Sequence, residues 1–209
     1  MKISYAIPVC NELDEIKQLI PFLKKHKRDE DTIVILVDEV NNLNEVQEFV
    51  ENYAYEHVTD VHVRYHKLNK DFAKHKNYLN EMCPGDWIFQ LDADEMPNVE
   101  LMAMLPLLIE QNPIVDAYWV SRINTVKGIT DEHIAKWGWK ISDKGWINFP
   151  DWQMRLYKNS DDIKWVGKVH EQLKGYDQFA MLPANESFAI YHPKDIKRQE
   201  KQNAFYDTI

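Results

Sequence analysis

Four short apolar runs, separated by segments of helical character, dominate the first half of the chain and limit what it can become. Lys2 to Pro8, Thr32 to Val37, Val61 to Tyr65 and Trp87 to Leu91 read as strands. Uncharged, β-branched runs such as Thr32 to Val37 suit strands buried on both faces, as in a parallel sheet. Between the first two, Leu13, Ile16, Ile20 and Leu23 recur at helical spacing behind Asn11, which can N-cap the segment. Pro21 inside that segment is expected to kink it. Asn44 to His57 and Asn69 to Met82 read as two further helices, the second closed by Pro84-Gly85. Strands alternating with helices of this length imply right-handed βαβ crossovers onto a mostly parallel sheet, hence an α/β class.

In such sheets ligands sit beyond the carboxyl ends of the strands. Acidic and turn residues gather there: Asn11-Glu12, Asp38-Glu39 and Asp92 to Glu95. Strand ends are polar wherever they reach the surface, so one cluster alone says little. Three on one edge say more.

Composition removes other classes. Of 209 residues 44% are hydrophobic, enough for a sizeable core. A formal charge of −9 argues against nonspecific binding to nucleic acid or an anionic membrane. No apolar run approaches transmembrane length, and the first residues turn acidic before a secretory core could form. Two cysteines, Cys10 and Cys83, cannot build a disulfide framework or a four-thiolate zinc site. A cytoplasmic protein is expected.

From about Asp116 the texture changes. Tyr118 to Val126 reads as a strand, and a stretch rich in glycine and tryptophan follows. Trp87, Trp119 and Trp165 are expected in the core. Trp137, Trp139 and Trp146, set among glycines and polar residues, are candidates for a binding surface, where an aromatic face can stack on a ligand. With no linker or repeat, one domain is expected, with a nucleotide-type half at 1–115 and a variable second half at 116–209.

Asp92-Ala93-Asp94 sets two carboxylates two residues apart at a strand end, on one face if the strand geometry persists. A hard divalent cation takes oxygen ligands, often one or two carboxylates together with substrate phosphates. His66, Lys67, Lys70, Lys74, His75 and Lys76 form a local basic patch just upstream, most of it expected on a solvated helix face. One lysine turned toward the strand ends would suffice to meet a phosphate.

Ile7 to Glu12, Val37-Asp38, Phe72 to Asn77, and Gly85-Asp86-Trp87 leading into Leu91 to Glu95 together resemble glycosyltransferase family 2. The likeness continues through Gln153 to Tyr157 and Val166 to Glu171, a pattern similar to the branch of lipopolysaccharide-core and peptide transferases. It implies the GT-A fold, a Rossmann-like three-layer sandwich, and inverting transfer of a sugar from a nucleoside-diphosphate donor, a UDP- or GDP-sugar. The acceptor would be a hydroxyl of a glycan, lipid or peptide. By position, Pro8, Asn11 and Glu12 would line the nucleotide pocket and Asp38 would accept a hydrogen bond from the base. Lys76 stands where the family usually has arginine and would serve the donor. Asp92 would contact the ribose or metal, and Asp94 with His192 would ligate Mn²⁺ or Mg²⁺. Glu171 would be the catalytic base, with Glu95 in reserve. Lys194, Lys197, Arg198 and Lys201 fall on one face of the last helix, a face that could close over the diphosphate. Two other readings stay open: a nucleotidyltransferase, which would usually carry a glycine-rich loop that Pro8 to Glu12 lacks, and a sugar-nucleotide-binding module without turnover.

Overall fold

The structure, a computed structural model, describes residues 1–206. Strands β1 (Ile3–Val9), β2 (Thr32–Asp38), β3 (Val61–His66) and β4 (Trp87–Gln90) alternate with helices α1 (Leu13–His26), α2 (Asn44–Glu56) and α3 (Phe72–Glu81). A two-residue β5 (Met96–Pro97) and helix α4 (Val99–Gln111) follow. The second half holds β6 (Ala117–Lys127), α5 (Asp131–Trp137), β7 (Ile147–Lys158), β8 (Lys164–Val166), β9 (Gln172–Lys174), β10 (Phe179–Met181), β11 (Ala189–Asp195) and α6 (Ile196–Tyr206).

One sheet runs through both halves in the order β3-β2-β1-β4-β7-β6-β11-β5, with β10 also on β6. β3, β2, β1 and β4 are parallel, β7 runs against both its neighbours, and β6 and β11 are parallel to each other. β8 and β9 form a separate antiparallel hairpin. Residues of α1, α2 and α4 pack into one apolar cluster and those of α3 and the β8–β9 hairpin into another. The sheet lies between them, giving three layers. Ile33 to Val37 are fully buried, as the uncharged run required.

Several local expectations change. Asn11 does not cap α1; the cap position is Glu12, whose own carboxylate turns back to accept from the backbone N–H groups of Cys10 and Asn11. Pro21 does not end α1, because its exposed position leaves the carbonyl it orphans open to water. α3 begins later than the periodicity suggests: Asn69 and Lys70 have positive φ, and Asp71 caps the helix by accepting from the Lys74 N–H. Lys194 belongs to β11 and not to the last helix.

Candidate active site

The carboxyl ends of β1, β2 and β4 bring Asn11-Glu12, Asp38 and Asp92 to Glu95 to one edge of the sheet. Pro8 sits near the end of β1, beside Leu36 of β2. Asp38 is buried, and its carboxylate accepts from Val40 N–H, Leu68 N–H and the Asn41 amide. Burial alone would raise its pKa, but those hydrogen bonds and the nearby His75 bring it below the usual value. One acceptor position on Oδ2 is left for a further donor. Cys10, half-buried beside the Glu12 and Asp38 carboxylates, is pushed up to about 11.

A buried arginine organises the acidic triplet. Arg155, on β7, is 3% exposed and donates through Nη2 to Asp92 at 2.6 Å and to Glu95 at 2.7 Å. Glu95 also meets Arg122 of β6 at 3.0 Å, and Arg122 meets Asp151 at 2.7 Å. Burial disfavours the charge of Asp92, yet Arg155, Lys76 and Arg122 outweigh it and hold the carboxyl well below its ordinary range. Glu95 therefore cannot be a reserve base: its side chain is sealed from solvent and committed to two guanidinium groups. Neither arginine could be singled out from spacing, because each finds its carboxylate across the sheet and not along the chain.

Asp94 faces β11 and α6. Its Oδ2 lies 3.2 Å from His192 Nε2, 3.2 Å from Arg198 Nη2 and 4.0 Å from Lys194 Nζ. Desolvation would raise its pKa, but the contact with His192 and the neighbouring cations bring it to about 2. Asn124 on β6 gives its amide N–H to Asp151, so its carbonyl oxygen takes the His192 Nδ1–H at 2.7 Å. That tautomer leaves the Nε2 lone pair directed at a carboxylate, an arrangement satisfied by a second proton or by a cation between them. One carboxylate oxygen and one imidazole nitrogen form a donor set that fits Mn²⁺ or Mg²⁺ when phosphate oxygens complete the shell. Arg198 also reaches Glu12 at 3.7 Å and bonds Glu15, drawing α6 across this end of the sheet.

Opposite stands Glu171, in the segment between β8 and β9, 14% exposed at its side chain. Lys76 of α3, expected to serve the donor, places its ammonium 2.6 Å from Glu171 and 4.0 Å from Asp92. The rest of the upstream basic patch divides as expected: Lys67, Lys70 and Lys74 are exposed. His75 is buried with its Nδ1 3.0 Å from His66 Nδ1; burial, then the neighbouring imidazole, lowers it to about 4. Trp87 and Trp165 are core residues and Trp119 is half-buried. Of the three exposed-side candidates, Trp139 lines a cavity of about 200 Å³ next to His192, Asn124 and Asn148. Trp137 stacks on His133 and Trp146 tilts against Phe149. Among the described residues no helix is long and apolar enough to cross a membrane.

Comparison with known proteins agrees with this fold. The family model for glycosyl transferase family 2 matches residues 4–170. The SPbeta prophage-derived glycosyltransferase SunS of Bacillus subtilis (strain 168) is 23% identical over 210 residues, covering 96% of this chain and 43% of the relative. The SunS glycosyltransferase of Bacillus phage SPbeta matches to the same extent. The chain thus spans less than half the length of these curated relatives. Among solved structures, S. aureus TarS 1-349 in complex with UDP superposes with a TM-score of 0.62 at 14% identity, over 92% of this chain and 60% of TarS 1-349. The same protein in complex with UDP-GlcNAc gives 0.60 at 15% identity, over 93% and 59%. At that identity the likeness carries the fold, which is the GT-A α/β fold, while the family rests on the sequence match over most of the chain. The chain belongs to glycosyl transferase family 2.

Proposed function

We propose that this chain is a metal-dependent, inverting transferase that moves a sugar from a UDP- or GDP-sugar to a hydroxyl of a glycan, lipid or peptide acceptor. The observation that carries the reading is the pairing of Asp94 with His192 at the strand ends, with Glu171 linked to Asp92 through Lys76. Pro8, Asn11, Glu12, Asp38 and Asp92 form the donor wall, which belongs to residues 1–115. Residues 116–209 supply Glu171, His192 and Trp139, and so the acceptor side. Structural neighbours crystallised with UDP and UDP-GlcNAc support the donor class. A cytoplasmic location belongs to the same reading, since both cysteines are free thiols.

Inverting transfer is an in-line displacement. Glu171 takes the proton of the acceptor hydroxyl as its oxygen bonds to the anomeric carbon. The bond from that carbon to the diphosphate breaks, and the electron pair leaves on the phosphate oxygen. Asp94 and His192 would hold Mn²⁺ or Mg²⁺, which supplies positive charge to the departing diphosphate. Arg198 and Lys194 add fixed charge on the same side.

The test is calorimetric titration of UDP and GDP with Mn²⁺ or with chelator, on the unaltered chain and on Asp94→Ala. Affinity should rise with metal in the first and not in the second. Equal affinity in every case removes the metal. An enzyme-release assay completes it: nucleoside diphosphate from a sugar nucleotide supports transfer, whereas pyrophosphate from a nucleoside triphosphate would make the protein a nucleotidyltransferase.

A further inference from the structure

Lys76 is placed unlike a donor contact. Its ammonium is nearly enclosed, with a side chain 9% exposed, and three groups surround it: Glu171 at 2.6 Å, Asp92 at 4.0 Å and the face of Trp165 at 4.5 Å. Trp165 is itself fixed. Its backbone N–H donates to the Asn77 side-chain oxygen at 2.8 Å, and its carbonyl accepts from the Asn77 amide at 2.9 Å. Its indole N–H donates to Tyr157 at 3.1 Å. The N-terminus of α3 holds the Glu171 segment as well, through Phe72 N–H to the Lys168 carbonyl at 2.9 Å. Helix, aromatic face and loop are thus tied together around one ammonium.

We propose that Lys76 is a positioning residue for the reaction: it holds the Glu171 carboxylate in one place, next to Asp92. The proposal rests on Glu171 being the proton acceptor. A flexible glutamate samples many rotamers, and only the ionised form can take a proton. A point charge held over an aromatic ring selects one of those rotamers. A lysine suits the position, because its compact ammonium can serve two carboxylates at unequal distances, whereas an arginine fork favours one bidentate partner. When the acceptor O–H bond breaks and the new O–H bond forms on Glu171, that carboxyl becomes neutral. The ammonium then has Asp92 as its remaining anionic neighbour, on the side where negative charge develops on the diphosphate. Proton uptake and leaving-group stabilisation would be linked through one side chain.

The experiment compares Lys76→Met, Lys76→Arg and Glu171→Gln in the full chain. Release of UDP from UDP-GlcNAc, with water as acceptor, should slow about tenfold or more in Lys76→Met and recover in part in Lys76→Arg. Calorimetry with UDP and Mn²⁺ should give Lys76→Met an affinity within about twofold of the unaltered chain. A turnover indifferent to Lys76 overturns the proposal, as does a loss of UDP affinity of about tenfold in Lys76→Met, which would make Lys76 a nucleotide contact. A turnover that responds to Lys76 while Glu171→Gln releases UDP at the unaltered rate would mean that the base assignment is at fault and not the ion pair.

Discussion

His192 and Asp94 meet at 3.2 Å although they are 98 residues apart in the chain, one on β11 and the other just past the end of β4. Between them the chain builds the whole second half of the sheet. The pairing is therefore a property of the assembled fold, and its parts can be tested one at a time.

The first test concerns the residue behind the histidine. Asn124 fixes the His192 ring by accepting from Nδ1. Asn124→Leu should weaken Mn²⁺ binding by about 10- to 100-fold while the fold persists, as expected for the loss of a hydrogen bond that orients a ligand. Manganese paramagnetic resonance titration measures it. Unchanged affinity would show that the ring needs no such support.

Arg155 joins two carboxylates from a buried position. Arg155→Met strands Asp92 and halves the cationic support of Glu95, which should cost about 3 kcal/mol or more of stability. Urea unfolding should show the drop, and Arg155→Lys should recover part of it. Equal midpoints for all three proteins would mean that the ion pairs contribute nothing net.

Acid should weaken the fold through His75. Burial and the His66 ring lower its folded-state pKa from 6.5 to about 4. In that interval the unfolded chain binds a proton that the folded chain refuses, so stability rises with pH there. The contribution is complete above about pH 6.5 and is lost as pH falls toward 4. Melting temperatures recorded across this range should decline on acidification, and His75→Gln should flatten the curve.

Gly175 lets the β8–β9 hairpin close. It has φ +88°, and a side-chain carbon there would collide with the Asp162 carbonyl and crowd Ile163. Gly175→Ala should destabilise the protein by about 1 to 3 kcal/mol through backbone displacement. It should also lower turnover more than UDP affinity, because Glu171 hangs from that hairpin while the donor wall does not. A loss confined to UDP affinity would contradict this placement.

The parts of the fold that were legible are those where local pattern and final environment coincide. Thr32 to Val37 reads as a doubly buried strand because every residue is apolar or β-branched. Asp38 and the Asp92-Ala93-Asp94 triplet stand out because a parallel sheet puts strand ends at one edge. Helix α4 escaped notice because Leu101, Met102, Leu105 and Ile109 are surrounded by further apolar residues, Ala103, Met104, Leu107 and Leu108 among them, which blur the one-sided stripe. Glu95 was misjudged as a spare base because a carboxylate in sequence shows no sign of the two arginines that neutralise it. Arg122 and Asn124 carry no local signature, and Arg155 lies in a motif that does not disclose its partners: each acts on a partner brought alongside by strand pairing.

Helix α5 buries none of its residues, and from Gly128 to Trp146 the chain rests on one end of β7, through the Ile141–Ile147 bridge, the hydrogen bonds between Lys140 and Asn148, and Trp146 against Phe149. A stretch laid on the sheet and not threaded through it can change in sequence while the anchored wall of strands and buried charges behind it keeps its shape.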